Sequence, residues 1–443
     1  MRRSGLALGG FCAVGAALSS SAAVAQDGGL RLFFGLENRL EISRNSELSV
    51  PATGTDILDE TRLSFGLVTQ TAIDRLEFNA SGALIAENPA GGGTEVDFGR
   101  GMADLAYRRE VPAAVFDLGA YYREDDVDAF DDALSDVDET GTRTDFGTNV
   151  ALEVGRTSSI GFALGAAYEA TDYQDTSDPE LYDTEETRAD AAVIFHASPV
   201  ITGRLGLRYS LRNEEDPAAT ETETVVSYAG LDYGVSERLD LSAEVGYTQT
   251  DTTEFGVTSR TTGPDLRLGL TYDMPIGTAM ALLRITTDDD EGQRETLEFG
   301  RDLETPTNTI SARLGVTRAD AAGTDLIGRL AIDHRLPDGS LGLTLERSVA
   351  FDDELEVNSR AAVAWTRNVN EVSSISLDIS YDLSDRVSER IEQISVGAAY
   401  SRELTADWNL NGGVGYRVRN DGDGHAESPT VFVSLSRDFE FLR

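Results

Sequence analysis

The last fourteen residues, TVFVSLSRDFEFLR (430–443), alternate between apolar and polar side chains. Leu435, Phe439 and Phe441 occupy odd positions, and serines or acidic residues lie at the even positions between them. A period of two is typical of a β-strand with one apolar and one polar face. A strand at the end of a chain leaves unpaired backbone unless another strand joins its free edge. The fold therefore depends on whether the rest of the chain supplies that partner.

The same alternation recurs along the whole chain from Gly29 onward. Examples are RLFFGLENRL, starting at Arg31, and RLDLSAEVGYTQ, starting at Arg238. About 22 such segments can be recognised, and each is long enough to cross a bilayer at a tilt. No segment after residue 26 reaches the roughly eighteen consecutive apolar residues of a membrane helix, which excludes a helical membrane protein.

The connections between these segments alternate in length. Tight turns rich in Pro, Gly, Ser and Asn follow every second segment, as at 197–199 and 337–339. Longer polar connections lie between them, at 123–141, 171–187 and 213–221. We therefore expect an all-β fold, a transmembrane antiparallel up-and-down β-barrel of about 22 strands (range 18–22), with short periplasmic turns and long acidic extracellular loops. An even strand count places both termini on the short-turn rim, so the last strand would close the barrel against the first.

On this pattern the chain resembles bacterial outer-membrane β-barrel proteins. The resemblance covers residues 29–443 and is architectural. It implies a place in the outer membrane of a Gram-negative bacterium, in contact with lipid and lipopolysaccharide. It also implies that the final strand, aromatic near its end, is the signal read by the barrel-assembly machinery. Leu442 and Arg443 after the last Phe, and Arg437 within the apolar face, depart from that signal.

The first 25 residues are predicted to be a secretory signal peptide, with a basic start, an apolar stretch and the small-residue exit Ala23–Ala25. Residues 26–443 would then form one barrel domain without a thiol, since the only cysteine is Cys12. Barrels of about this strand number usually hold a plug in the lumen. Only Gln26–Gly28 precede the first strand, so we expect no N-terminal plug and no resemblance to plugged siderophore receptors.

The charge of the chain limits its partners. The formal net charge is −41, and the sequence contains no lysine, so every basic side chain apart from three histidines is an arginine. Nucleic acid is excluded as a partner because phosphate binding needs clustered cations.

Alternation also sorts each strand into a lipid face and a lumen face. An Arg or Lys facing the bilayer midplane costs about 2–4 kcal/mol, so the charged face must be the inner one. The predicted pore-lining residues are Arg100, Arg204, Arg208, Arg212, Arg267, Arg284, Arg329, Arg360, Arg417, Asp104, Asp240, Glu244, Glu356 and Asp378. Two interpretations stay open: a cross-strand mesh of ion pairs that stiffens the wall, or arginines on one wall facing carboxylates on the other. In either case the recognised inner face is nearly neutral.

Two connections are dense in carboxylates, 123–141 and 169–187. If one folds inward it would narrow the pore and favour cations. The predicted constriction consists of Asp125, Asp126, Asp128, Asp131, Asp132, Asp136 and Asp138. No metal site is predicted and no cofactor is expected, although such loops could hold Ca²⁺ or Mg²⁺ loosely through their oxygens.

Three function classes compete. An enzyme is not expected, because His196 and His334 lie beside short turns, His425 lies in a loop, and no G-x-S-x-G elbow occurs. A porin-like channel for the passive passage of polar or charged solutes is favoured by the charged inner face. The alternatives are an outer-membrane component of an exopolysaccharide export system, or a structural or display barrel whose acidic loops bind divalent cations or lipopolysaccharide. Oligomeric state is left open.

Overall fold

The computed structural model describes residues 29–89, 92–127, 141–176, 181–289, 292–320, 323–352, 354–386, 390–422 and 424–442. No helix among these residues is long and apolar enough to cross a membrane. They form 22 strands: β1 (Leu30–Arg44), β2 (Thr55–Gln70), β3 (Asp74–Asn88), β4 (Glu95–Val111), β5 (Ala114–Asp126), β6 (Thr142–Val154), β7 (Ile160–Gln174), β8 (Thr184–Ser198), β9 (Ile201–Glu214), β10 (Glu221–Ser236), β11 (Leu239–Glu254), β12 (Val257–Asp273), β13 (Thr278–Asp288), β14 (Gly292–Glu304), β15 (Asn308–Ala319), β16 (Gly323–Leu336), β17 (Gly339–Asp352), β18 (Glu354–Asn370), β19 (Ser373–Arg386), β20 (Arg390–Glu403), β21 (Trp408–Asn420) and β22 (His425–Leu442).

The strands close into a single antiparallel barrel. Each strand pairs with the next along the chain, and β1 pairs with β22 from Arg31↔Leu442 to Ser43↔Thr430. The terminal strand therefore has a partner on both sides, β21 and β1. The predicted closed up-and-down barrel of about 22 strands is confirmed, with the start of β1 and the end of β22 on one rim.

The outer face of the wall is apolar. Leu205, Leu207 and Val245 are 54%, 55% and 60% exposed, and many other large apolar side chains share this face. In water, a continuous apolar surface of this extent would drive aggregation, whereas in lipid it is the stable arrangement. A closed barrel with such a belt is the form that spans the bacterial outer membrane, as the sequence predicted.

The two rims differ, but only around half of the barrel. Connections on the rim with the chain termini are short throughout, as at 112–113 and 199–200. On the opposite rim, long connections such as 45–54 and 127–141 occur between β1 and β10. From β11 onward that rim also has short connections, such as 255–256, because the polar ends of the strands continue to pair as hairpins beyond the apolar belt.

The predicted long loops are therefore shorter than the sequence indicated. β5 continues to Asp126, β7 continues to Gln174 and β8 begins at Thr184. Polar residues in these stretches retain the alternation of a strand, so they pair across the hairpin and keep their backbone hydrogen bonds satisfied.

Aromatic rings cross the closure between the first and last strands on the outer face. The Phe34 ring lies 5.0 Å from the Phe65 ring and 5.9 Å from the Phe441 ring, measured between centroids. Phe65 in turn lies 6.0 Å from Phe78. Phe34 thus connects β22 to β2, and the row continues to β3.

We expect Phe34→Ala to destabilise the barrel by about 1–3 kcal/mol more than Leu36→Ala, because it removes two aromatic contacts as well as apolar area. Leu36 is the matched control, since it lies on the same strand and face with similar exposure. Urea unfolding of the barrel in lipid, followed by the fluorescence of Trp365 and Trp408, measures the difference. Equal losses in the two variants would contradict a role for the aromatic row.

Candidate functional site

The register of the ladder decides which side chains face the lumen, because residues directly opposite each other share a face of the sheet. Leu205 and Leu207 lie on the apolar outer face, so Arg204, Arg208 and Arg212 face inward. The same rule places these predicted pore-lining residues on the inner face: Arg204, Arg208, Arg212, Arg267, Arg284, Arg329, Arg360, Arg417, Asp104, Asp240, Glu244, Glu356 and Asp378. Arg100 has no directly opposite residue, and its ion pair with Glu60 shows that it too reaches the inner face. That they line an open pore stays a prediction.

Many inner-face charges pair along one strand with the residue two positions away. Side chains at i and i+2 point to the same face, so an Arg-x-Glu or Glu-x-Arg sequence brings opposite charges together. Pairs of this kind include Arg39–Glu41 (2.6 Å), Glu60–Arg62 (2.9 Å), Arg75–Glu77, Arg143–Asp145 (3.1 Å), Glu186–Arg188 (2.5 Å) and Arg212–Glu214 (2.8 Å). Glu60 is buried, but the other side chains in these pairs are solvent-accessible, and an exposed ion pair contributes roughly 0–1 kcal/mol.

Other ion pairs join different strands across the inner face. They are Arg204–Asp232 (2.7 Å), Arg208–Glu244, Arg313–Asp302 (2.8 Å), Arg329–Glu346 (3.8 Å), Arg360–Asp382 (3.5 Å), Arg386–Glu356 (3.3 Å) and Arg108–Asp117 (3.2 Å). Positive and negative side chains thus alternate around the wall. The cross-strand mesh is the interpretation that fits, and arginines are not segregated on one wall.

The expectation of a nearly neutral inner face is wrong. The ladder also turns inward carboxylates that the sequence pattern missed: Asp56, Glu60, Glu87, Glu95, Asp97, Asp125, Glu169, Glu186, Asp190, Asp232, Asp265, Glu298, Asp302 and Asp325. Fewer arginines were missed: Arg75, Arg123, Arg188, Arg294, Arg313, Arg335 and Arg386. Several of these lie in stretches interpreted as loops that the strands extend into. The described inner face is therefore net negative.

A β-bulge in β4 sets the position of Arg100. The pairing of β3 with β4 shifts between Ser81 and Ala83, and Arg100 lies in the bulge with a φ of 52°. The extra residue reverses the alternation of the strand, so Phe98 (70% exposed) faces outward instead of into the lumen. A non-glycine residue in this left-handed region is strained, and such strain is concentrated at functional sites.

The bulge lets Arg100 join β2 and β5 across the inner face. Its guanidinium lies 2.5 Å from a Glu60 oxygen and 3.1 Å from oxygens of both Asp125 and Asp126. Beside it is a cavity of about 450 Å³, which is lined by Glu37, Arg39, Glu41, Leu58, Glu60, Arg62 and Arg100. Charged side chains from β1, β2, β4 and β5 meet in this cluster, and no single sequence motif marked it.

The predicted constriction is only partly described. Asp125 and Asp126 end β5 and pair with Arg100, so they are tied to the wall and do not project across the lumen. The remaining residues, Asp128, Asp131, Asp132, Asp136 and Asp138, lie outside the described residues. Their role in gating or in holding a divalent cation stays a prediction.

The β1–β2 connection, which the sequence did not single out, reaches across the top of β22 to β21. The Ser46 carbonyl accepts a hydrogen bond from Arg417 at 2.6 Å, and the Asn45 side chain donates to the Glu427 carbonyl at 3.4 Å. Asn45 is 1% exposed, and its Oδ1 accepts from the backbone of Ser49 and Thr53. This compact loop therefore spans the closure of the barrel at the rim where β1 ends and β22 begins.

The three histidines have local partners. His196 Nδ1 lies 2.9 Å from the Ser158 carbonyl, and His334 Nδ1 lies 2.7 Å from Asn308 Oδ1. His425 contacts Asn420 and Glu427. Hydrogen bonds of this kind fix turns and strand ends.

Comparison with solved structures finds the same architecture. The FrpB iron transporter from Neisseria meningitidis is similar with a TM-score of 0.61 and 10% identity, over 94% of this chain and 83% of that one. The siderophore receptor PirA from Pseudomonas aeruginosa gives 0.54 and 12%, over 94% and 81%. The copper transporter OprC gives 0.58 and 11%, over 94% and 81%. No protein-family model matches the chain, and no curated protein matches it in sequence.

The chain has the outer-membrane barrel fold. Because sequence identity is only 10–12%, the similarity shows a shared fold alone. It does not show that this chain transports what those proteins transport. The expectation of no resemblance to siderophore receptors is wrong for the barrel wall, which matches that of PirA. Composition and loop pattern could not reveal this, because wall architecture is retained when nearly every residue differs.

We expect Arg100→Ala to lower the free energy of unfolding by about 1–3 kcal/mol through its lost ion pairs. Arg100→Gly should be less destabilising than Arg100→Ala by about 1 kcal/mol, because glycine adopts positive φ without strain. Arg62 is the control, since it also pairs with Glu60 but has ordinary backbone, so there glycine should be worse than alanine. Urea midpoints measured for the four variants test this reversal. The same order at both positions would remove the argument for strain.

We expect Arg417→Ala to release the loop across the closure and to speed cleavage after Glu47 by a Glu-specific protease about tenfold. This corresponds to one charge-assisted hydrogen bond. Arg419→Ala is the control, because Arg419 faces the same way but pairs with Asp421. Mass spectrometry of the fragments locates the cut. Equal cleavage rates in both variants would show that Arg417 does not hold the loop.

Proposed function

We propose that this protein is an outer-membrane transport barrel whose lumen is the path for polar or charged solutes. The supporting observation is the inner face, which carries many charged side chains joined by ion pairs between neighbouring strands. The ion-pair mesh gives a polar surface on which solutes can exchange hydrogen bonds with wall and water.

The sign of the lining favours cations. Surplus carboxylates on the described inner face, with those of the long connections on the β1–β10 side, create a negative potential in a confined space. Such a potential concentrates cations and lowers the concentration of anions. Passive, porin-like passage is the simplest mechanism that this lining supports.

Uptake of metal ions or their complexes is the second candidate. The similar structures include transporters of iron and copper, and barrels with 22 strands in the outer membrane usually have a plugged lumen. The described residues build only the wall and its connections. A plug would have to come from other residues or from another protein, and the barrel would then be silent by itself.

The proposed partners follow from the fold. Lipid and lipopolysaccharide surround the apolar belt, and the barrel-assembly machinery would read β22. Bound Ca²⁺ or Mg²⁺ at the acidic connections is part of this proposal, as is the lack of enzymatic activity.

Conductance in a planar bilayer tests the proposal. We expect the refolded barrel to show large, cation-preferring steps, with the reversal potential in a salt gradient giving the preference. Deletion of residues 128–140, which spares β5 and β6, should change the step size if this segment narrows the pore. The control is the insertion of a Gly-Ser pair between residues 255 and 256, which alters a short connection on the same rim. This insertion should leave the step size unchanged. A barrel that is heat-modifiable on gels yet silent would contradict passive passage and favour the plugged alternative.

A further inference from the structure

Two arginines face each other on the inner wall without a partner. Arg267 on β12 and Arg284 on β13 are directly opposite in the ladder, and both side chains are exposed to the lumen. Within the part of the chain that the structure describes, neither makes a hydrogen bond or an ion pair. Like charges directly opposite each other destabilise a sheet, so this arrangement has a cost.

Other opposed arginines on this wall are neutralised one by one. In the pair Arg75 and Arg108, the first binds Glu77 and the second binds Asp117. In the pair Arg313 and Arg329, the partners are Asp302 and Glu346. The wall therefore accepts opposed arginines when each has its own carboxylate, and Arg267 with Arg284 departs from that rule.

The neighbouring polar groups are already engaged elsewhere. Glu244 lies directly opposite Arg267, but its carboxylate binds Arg208, whose guanidinium is also held 4.1 Å from the Tyr228 ring centre. On the other side, Thr296 lies opposite Arg284, and its hydroxyl is 3.1 Å from that of Thr317.

Two carboxylates face the same region without closing an ion pair. Asp265 precedes Arg267 by two residues, and Glu298 lies on β14, and both act on Arg284 only at a distance. Neither approaches Arg267 or Arg284 within the distance of a salt bridge among the described residues. The two guanidinium groups thus keep their hydrogen-bond donors directed into the lumen.

We propose that Arg267 and Arg284 form an oxyanion-binding site on the inner wall, which takes a phosphate or carboxylate group. Each guanidinium presents a planar fork of donors that matches two oxygens of such a group. An oxyanion bound between them would supply the negative charge that no carboxylate of the described residues supplies at this position. The site would capture anionic solutes within a lumen that otherwise repels them. Use of the site during passage rests on the proposed function, whereas binding itself does not.

Calorimetric titration of the detergent-folded barrel with inorganic phosphate tests the site, with acetate as a separate arm for carboxylates. We expect saturable binding that weakens at least about tenfold in R267Q/R284Q, because each lost group removes charge-assisted hydrogen bonds. R75Q/R108Q is the matched control, since it removes two opposed and equally exposed arginines that have carboxylate partners. That control should bind phosphate as the wild type does.

The conservative variant R267K/R284K distinguishes the contribution of the planar guanidinium geometry to binding from that of the positive charge. Lysine keeps the charge without the planar fork, so we expect phosphate affinity to fall several-fold while acetate is affected less. Retention of a heat-modifiable band on gels shows that each variant is folded, and the single variant R284K replaces any double variant that is not. Absence of saturable binding to the wild type, or equal weakening in R75Q/R108Q, would overturn the proposal. Binding by a barrel that conducts no current would leave the site intact and refute passive passage instead.

Discussion

Closure of the ladder between β1 and β22 is the constraint on which the structure depends. In hydrocarbon there is no water to satisfy backbone N–H and C=O groups, so an open edge would leave a row of them unpaired at several kcal/mol each. Pairing from Arg31↔Leu442 to Ser43↔Thr430 removes that edge. Once the sheet is closed, alternate side chains of each strand face either the lipid or the lumen, and the apolar side chains must face the lipid. The charged inner wall is thus a consequence of closure.

Side-chain contacts on the outer face and at the rim reinforce this closure. The Phe34 ring joins the two strands from the outside, and the Arg417–Ser46 hydrogen bond ties the β1–β2 connection to β21 across the end of β22. These contacts link residues separated by almost the whole length of the chain. They can form only after the last strand has docked, so they stabilise the finished barrel and cannot guide its earlier assembly.

Fold class, strand number and the direction of residues such as Arg204, Arg208 and Arg212 could be predicted from the sequence, because a period of two is a local signal. Features that depend on which residues of neighbouring strands pair could not be predicted from the sequence. The β4 bulge reverses the facing of Phe98 and is visible only from the register with β3. Glu244 was predicted to face inward, but its choice of Arg208 over the opposite Arg267 depends on how three strands align. The hydrogen bond from Asn45 to the Glu427 carbonyl likewise depends on β22, which lies almost four hundred residues away in the sequence.

The lack of lysine has a consequence for how this lumen responds to acid. Every fixed positive charge on the described inner wall is a guanidinium, which stays protonated at any pH a cell meets, and only the carboxylates can lose their charge as pH falls. Acidification therefore shifts the net charge of the wall in one direction only, towards positive. As the anions are neutralised, the surplus changes sign and the arginines come to dominate the interior. On the proposed cation preference, a wall that disfavours anions in neutral surroundings would then come to prefer them in acidic surroundings.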